Sequence, residues 1–337
     1  MRKTSTRDIA NVAGVSQATV SYILNGRKDQ GISEPTRARV LQAASELNYR
    51  PNRVAPSVFR GYTHMLGVLM PDSDSSFFAR ILSGIQQACH EADFAIHLAY
   101  SEREQAAEQK DISLMLEHRV AGIIVVETGE SLREQHRWLA GLVAEGVPCA
   151  MIDDRSLAGT VECVVSDDLD GGALAARHLI EHGHKRIGFI TNSCSTSAVR
   201  DRRDGFLAAM RDEGLDCADL VSDDVLHMRE MEPVIDKWLR LPNPPTAIFA
   251  GSDYVASHVI GFLEERGVSV PGDVAVIGYA DTELSEGLRL TTVRQDARRM
   301  GYLAAKRMLA RLNGDISDAE VVRVDTSLVI RRSCGCH

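Results

Sequence analysis

From residue 65 onward, short apolar runs alternate with longer stretches of helical periodicity, and this alternation restricts the possible folds more than any other feature of the sequence. Residues 65–70, 95–99, 122–126 and 148–152 read as buried strands, and 77–92, 103–118 and a stretch ending near Glu145 as helices. Strands that are apolar on both faces and joined by amphipathic helices belong to a parallel sheet covered on both sides. The pattern then restarts, with 163–165, 186–190, 247–250 and 274–278 as strands and 169–181, 198–214, 233–239 and 255–267 as helices. Two such runs predict two similar subdomains with a cleft between them. A last helix over 296–312 and a strand over 321–330 are expected to cross to the first subdomain and back.

Ahead of this core lies a segment of different character, STRDIANVAGVSQATVSYILNG. Ser5 followed three residues later by Asp8 predicts a capping box, Ile9, Ala10, Val12 and Ala13 give a small apolar face, and Gly14 supplies a turn residue free to take positive φ. Ser16 then caps a second helix that buries Val20, Ile23 and Leu24 and leaves Gln17, Ala18, Ser21 and Tyr22 on the other side. Two helices of this length cannot bury themselves alone. A third, opened by Ser33 and Pro35 and carrying Val40, Leu41, Ala44 and Leu47, completes a three-helix core. Through Arg60 the chain holds ten Lys and Arg against four acids, a balance of +6, whereas the whole chain is −9 and the remainder therefore −15. A basic head on an acidic body is the asymmetry of a nucleic-acid reader with a separate control domain. The expected fold class is a small all-α three-helix head plus an α/β core of two similar parallel-sheet subdomains.

The stretches DIANVAGVSQATVSYILNG and ISEPTRARVLQAASELNYRPNRVA closely resemble the amino-terminal DNA-binding domain and hinge of the LacI family of bacterial transcription regulators, without a visible gap from residue 5 to about 55. The resemblance implies a helix-turn-helix head over 1–50, a hinge over 51–63 and a core like that of periplasmic binding proteins. Its first subdomain is expected over 64–160 with about 294–320, its second over 161–293 with about 321–331, and a tail over 332–337. It further implies a homodimer, or a tetramer, on a near-palindromic double-stranded operator. Base readout is expected from Gln17, Ala18, Ser21 and Tyr22. Backbone contacts are expected from Ser5, Arg7, Ser16, Thr19, Asn25, Arg27, Arg50 and Arg53. In the family the hinge folds on the operator and levers open a base step in the minor groove, a role that falls by position on Val58, with Ala55 beside it. Pro56 departs from that pattern, since within a helix it removes a backbone bond, and a plain flexible linker is the other reading of this segment.

Ligands of open parallel sheets sit beyond the carboxyl ends of the strands. The polar residues expected there are Asp72, Asp153, Ser252, Asp253 and Asp281, with Phe77 near the first of them and Arg202 at the start of a helix. Carboxylates accept from vicinal hydroxyls and a guanidinium fork binds a hydroxyl pair or an acid group, so the set suits a small polyhydroxylated effector, a sugar or sugar acid. Acids at helix starts also act as caps, and for each residue taken alone the two readings are equally open. The resemblance places Arg202 where the family keeps its effector-binding arginine. It also marks two departures: Ser252 precedes Asp253 where Asn is usual, and Ala280 replaces the first of two acids after Tyr279. Relief of repression by a sugar is the favoured regulation, and co-repression by a purine-like ligand the alternative.

Several functions are disfavoured. No apolar run approaches the roughly 20 residues that span a bilayer, and the opening MRKTSTRD lacks an apolar signal region, so no membrane association and a cytoplasmic location are expected. The seven cysteines (Cys89, Cys149, Cys163, Cys194, Cys217, Cys334, Cys336) show no paired framework and read as free thiols. Residues 26–33 have the glycine spacing of a phosphate loop but lack its lysine and a preceding strand. His178, His182 and His184 have a metal-like spacing within what resembles an ordinary helix-to-strand corner of the family, and the Cys334–Cys336 tail could bind a stray metal or oxidise. No catalytic set is visible, and neither a cofactor nor a metal is expected.

Overall fold

A computed structural model describes residues 4–24, 31–49, 62–126, 132–192, 196–225, 228–316 and 318–336. The chain forms two compact units, residues 1–63 and 64–337.

The first unit is built from helices α1 (Thr6–Ala13), α2 (Gln17–Leu24) and α3 (Glu34–Glu46). Ile9, Ala10, Ala13, Val20, Ile23, Val40, Ala43 and Ala44 form its core, and Leu24, Leu47 and Tyr49 pack at its margin. Two expected core residues lie elsewhere: Val12 is 56% and Leu41 50% exposed. The buried positions of α1 and α3 recur at spacings of one, three and four residues, and Val12 and Leu41 fall off those stripes. The expected hinge, with Ala55, Pro56 and Val58, and the expected backbone contacts Asn25, Arg27, Arg50 and Arg53 lie outside the described residues.

The second unit runs β1 (Met65–Met70), α4 (Ser76–Glu91), β2 (Ala95–Tyr100), α5 (Gln105–Glu117), β3 (Gly122–Val126), α6 (Leu132–Ala144), β4 (Cys149–Ile152), β5 (Glu162–Ser166) and α7 (Asp168–Glu181). It continues through β6 (Ile187–Asn192), α8 (Ser197–Asp212), β7 (Val221–Val225), α9 (Met231–Leu239), β8 (Ala247–Ala250), α10 (Asp253–Glu265), β9 (Ala275–Ala280), α11 (Glu283–Gly287), β10 (Thr291–Gln295), α12 (Ala297–Asn313), β11 (Val321–Val324) and β12 (Thr326–Val329). Two six-stranded sheets result, in the orders β11-β5-β4-β3-β1-β2 and β12-β10-β9-β8-β6-β7. The orders correspond strand for strand, and only β12, antiparallel to β10, breaks the parallel pattern. No helix among the described residues is long and apolar enough to cross a membrane.

The chain passes between the subdomains after β5, after β10 and between β11 and β12. Each crossing helix docks on the first helix of the subdomain it enters: α12 on α4, and α7 on α8. Glycines permit both contacts. A Cβ at Gly84 or Gly301 would strike the backbone carbonyls of Arg298 or Ile81, and one at Gly172 or Gly205 those of Arg202 or Leu169.

The topology corrects the division expected from periodicity. The run at 163–165 is the fifth strand of the first sheet, between β4 and β11, not the first strand of the second subdomain. Apolar periodicity marks a buried strand but not its partner. Beside this strand the fully buried Glu162 accepts from Arg307 Nε on α12 at 2.7 Å, which ties β5 to the helix that crosses back to the first subdomain. The single strand expected over 321–330 is two strands divided at Asp325, one in each sheet. Strands β7 (VSDDV) and β10 (TTVRQ) carry too many polar residues to register as strands in the sequence.

Candidate functional site

The head presents one face of α2. Ser5 accepts from the Asp8 amide while Asp8 Oδ2 accepts from Ser5 N at 2.8 Å, closing the capping box of α1. Gly14 ends that helix with φ 65° and ψ 39°, a conformation without the side-chain penalty other residues meet, and the chain re-enters a helix three residues later. Ser16 Oγ accepts from Thr19 N at 3.1 Å to start α2. Burial of Val20 and Ile23 leaves Gln17 and Ala18 exposed and Ser21 and Tyr22 half-buried one turn on. Gln17 Nε2 donates to Thr6 Oγ1 at 2.8 Å, which ties the start of α2 to α1. Arg7 is exposed on α1.

In the core the expected cleft residues separate into two unlike centres. The first is built around Arg202, 6% exposed on α8. Its Nε donates to Asp168 Oδ1 at 2.8 Å, its Nη1 donates to Gly251 O at 3.0 Å, and its guanidinium stacks 4.1 Å from the centroid of the buried Tyr279 ring. Nη2 lies 4.0 Å from Asp153 Oδ1, too far for a hydrogen bond. Asp168 came to this centre unannounced, because an acid at a helix start reads as a cap; the side chain that caps α7 is Asp167. Asp168 Oδ2 and the Tyr279 hydroxyl are buried beside this guanidinium without a hydrogen-bond partner among the described residues.

This centre carries more acid than base. Burial pushes the Asp153 carboxyl up to about 7; Arg202 opposes the rise, and Asp168 and Asp154 add to it. Burial raises the Asp168 pKa as well, with Arg202 opposing. Burial works against the Arg202 cation, but Asp168, Tyr279 and Asp153 more than offset it, and the pKa rises. Asp153 has φ 67° and a side chain 13% exposed, and the Oδ1 that faces Arg202 also accepts from Gln295 Nε2 at 3.5 Å.

The second centre is saturated. Asp281 Oδ2 accepts from Arg294 Nε at 2.7 Å, and Oδ1 accepts from Arg331 Nη2 at 2.7 Å and Ser285 Oγ at 3.0 Å. Burial would raise its pKa; Arg294, Arg331 and Ser285 outweigh burial and lower it. Asp253, 1% exposed, accepts from Thr282 N at 2.6 Å, Thr282 Oγ1 at 2.9 Å and Thr292 Oγ1 at 2.6 Å, binding α10 to β10 and the start of α11. Ser252 caps α10 through Val255 N at 3.1 Å. Asp72 accepts from Ser75 N at 3.2 Å and Arg103 Nη2 at 3.0 Å, and Phe77 is 8% exposed. Of the seven residues expected at the ligand, these five are thus engaged with or buried among protein groups, and Asp153 and Arg202 alone retain an unmade polar contact facing each other.

Two clasps join the subdomains. Arg155, after β4, pairs with Asp201 on α8 (Nη2 to Oδ1 2.7 Å, Nε to Oδ2 3.1 Å), and Asp154 accepts from Ser197 N at 3.2 Å across the same gap. Arg80 on α4 donates to Asp281 O at 2.7 Å and to Glu283 at 2.9 Å. A cavity of about 440 Å³ opens beside the crossings, lined by Arg80, Arg294, Gln295 and residues 325–327.

Known proteins share both the sequence and the architecture. Residues 5–52 match the family described as bacterial regulatory proteins, lacI family, and residues 176–334 match a periplasmic binding protein-like domain. The HTH-type transcriptional repressor PurR of Actinobacillus pleuropneumoniae serotype 3 is 31% identical over 336 residues, 97% of each chain. The ribose operon repressor of Escherichia coli K12 is 32% identical over 314 residues, 91% of this chain and 92% of that one. Among solved structures, the lac repressor dimer bound to operator and an anti-inducer superimposes with a TM-score of 0.82 at 25% identity, covering 99% of each chain.

Proposed function

The chain belongs to the lacI family of bacterial regulatory proteins and is a transcriptional repressor of that family; from this premise we propose that it binds a near-palindromic operator as a dimer and releases it when a sugar or small sugar acid enters the core cleft. Cytoplasmic location follows from that role.

For the head, the proposal rests on the face of α2. In this reading Gln17 pairs with an adenine edge, Ala18 meets a thymine methyl, and Ser21 and Tyr22 extend the readout by one turn, while Ser5, Arg7, Ser16 and Thr19 hold phosphates; burial of Val20 and Ile23 on the opposite face of α2 supports it.

For the effector, the observation that carries the reading is the 4.0 Å separation of Arg202 Nη2 and Asp153 Oδ1, an ion pair too long for a direct hydrogen bond. One hydroxyl oxygen about 2.8 Å from each group accepts from the guanidinium and donates to the carboxylate. A vicinal diol or hydroxy acid repeats that pattern. Purine stacking needs an open ring, and the Tyr279 ring at this centre is covered by Arg202. A purine-like co-repressor is the second reading, favoured by the full-length match to PurR; the ribose operon repressor, 32% identical over 91% of the chain, supports the sugar reading. Ligand entry acts on the two clasps, and it shifts the DNA-binding equilibrium only through its differential affinity for the two core arrangements.

The test is selection of binding sites from a random DNA pool by the full chain, followed by titration of the selected complex with sugars, sugar acids and purines. A near-palindromic consensus, weakened by Gln17→Ala and Tyr22→Ala with salt-sensitive non-specific binding retained, supports the reading. Absence of any retardation at low salt refutes it. Release by a sugar or sugar acid supports the effector assignment, and tightening by a purine replaces it with the second reading.

A further inference from the structure

Two sequence motifs with no role in repression meet in the second subdomain. His178 lies 6% exposed near the end of α7, and the tail returns to it. The tail is fixed before it arrives. Ser333 Oγ donates to Val276 O at 2.5 Å and accepts from Thr291 N at 2.9 Å, and Ser333 O accepts from Val276 N at 2.8 Å. Cys334 is consequently 3% exposed, with its sulfur accepting from Thr291 Oγ1 at 3.1 Å. Two residues on, Cys336 Sγ stands 3.3 Å from His178 Nε2. The ligating atoms of His178, Cys334 and Cys336 all lie within 4.8 Å of one another.

We propose that His178, Cys334 and Cys336 form a binding site for a thiophilic transition-metal ion, Zn²⁺ foremost, which pins the carboxyl-terminal tail to α7. In a tetrahedral zinc site with Zn–S near 2.3 Å and Zn–N near 2.0 Å, neighbouring donors are roughly 3.3–3.8 Å apart. The Cys336–His178 separation already has that value, and the third donor lies within about 1 Å of it. Two thiolates and an imidazole select zinc or a softer ion over magnesium or calcium. The Cys-Gly-Cys spacing also suits the site: Gly335, at φ 73°, turns the chain so that both sulfurs face His178. Metal binding displaces both thiol protons to solvent and leaves a fourth coordination position. His182, whose ring centroid is 4.4 Å from that of His178, donates from Nδ1 to His178 O at 2.7 Å and buttresses the helix end.

The test uses the full chain, reduced and stripped of metal, titrated with Zn²⁺ in competition with a chromophoric chelator and separately with Co²⁺. One Zn²⁺ per chain is expected, together with a near-ultraviolet thiolate-to-cobalt band and the strong visible absorption of tetrahedral Co²⁺. Cys336→Ser, a half-buried position near the chain end, should weaken Zn²⁺ binding by about 100-fold or more, as should His178→Gln, whereas His184→Ala should leave it unchanged. The cobalt spectrum of the unsubstituted chain stands whether or not a variant folds. No stoichiometric binding, binding without a thiolate–cobalt band, or equal affinity in Cys336→Ser each overturns the proposal. So does recovery of Cys334 and Cys336 as a disulfide from a reduced form that shows no affinity for the ion.

Discussion

The two arginine–carboxylate centres of the core use the same chemistry to opposite ends. At Asp281 one carboxylate meets two arginines and a serine, every oxygen is occupied, and its pKa is lowered. At Arg202 one guanidinium serves Asp168 and faces Asp153 with Asp154 nearby, acid exceeds base, and the Asp153 carboxyl is pushed up to about 7. A saturated centre is a strut, because a ligand must break something to enter. An acid-rich centre with an unmade contact gains from a ligand that donates a hydrogen bond to it. An acid at a strand end is therefore no guide to ligand contact until its partners are counted.

The sharpest contrast between the centres comes from deleting their hubs. Arg202→Ala leaves Asp168 buried without its cation and should cost about 3–5 kcal/mol in urea unfolding. Asp153→Asn should have its largest effect on the pH dependence. The folded-state pKa of Asp153, about 7, lies above the ordinary carboxylate value, so the folded chain holds a proton that the unfolded chain releases. Stability should fall as pH rises from about 4 to about 7, by at most about 1.4 kcal/mol per pH unit. The Asn variant should lack that slope in denaturation series across the window. Asp281→Ala should cost about 1–3 kcal/mol, since both arginines retain access to solvent or other acceptors. Its pH signature has the opposite sign: a lowered carboxylate pKa gives stability that is present above the ordinary value and is lost as pH falls through the folded one. Least affected should be Arg155→Ala, in which a guanidinium 37% exposed loses a surface-type pair worth about 1 kcal/mol or less, measurable by thermal unfolding. An Arg155 effect as large as that of Arg202 would erase the distinction between clasp and hub.

Much of the fold was legible because it follows from local chemistry. The Ser5–Asp8 box, the Gly14 turn, the Ser16 cap and the strand–helix alternation depend on neighbours within a turn or two, and the structure reproduces them. What stayed hidden depends on partners far apart in sequence. β5 lies in the first sheet, where Glu162 meets Arg307, 145 residues away, and Asp325 divides two strands that read as one. Asp168 escaped notice because its role exists only once Gly172 and Gly205 bring α7 against α8 and set it beside Arg202. His178 and the cysteine tail, each visible as a motif but distant in sequence, are brought together where the hydrogen bonds of Ser333 fix the tail.

The division between open and saturated centres is tested most directly by anisotropy of labelled operator DNA, titrated with the effector that releases the unsubstituted chain. Asp153→Asn should keep operator affinity within about 2-fold and raise the effector concentration needed for release by roughly 10- to 100-fold, the worth of a hydrogen bond to a charged group. Asp253→Asn and Asp281→Asn, where folded, should respond at nearly the original concentration. An unchanged response in Asp153→Asn, with the response lost in a folded Asp253→Asn or Asp281→Asn, would contradict the assignment and return the ligand to the acids placed here as struts.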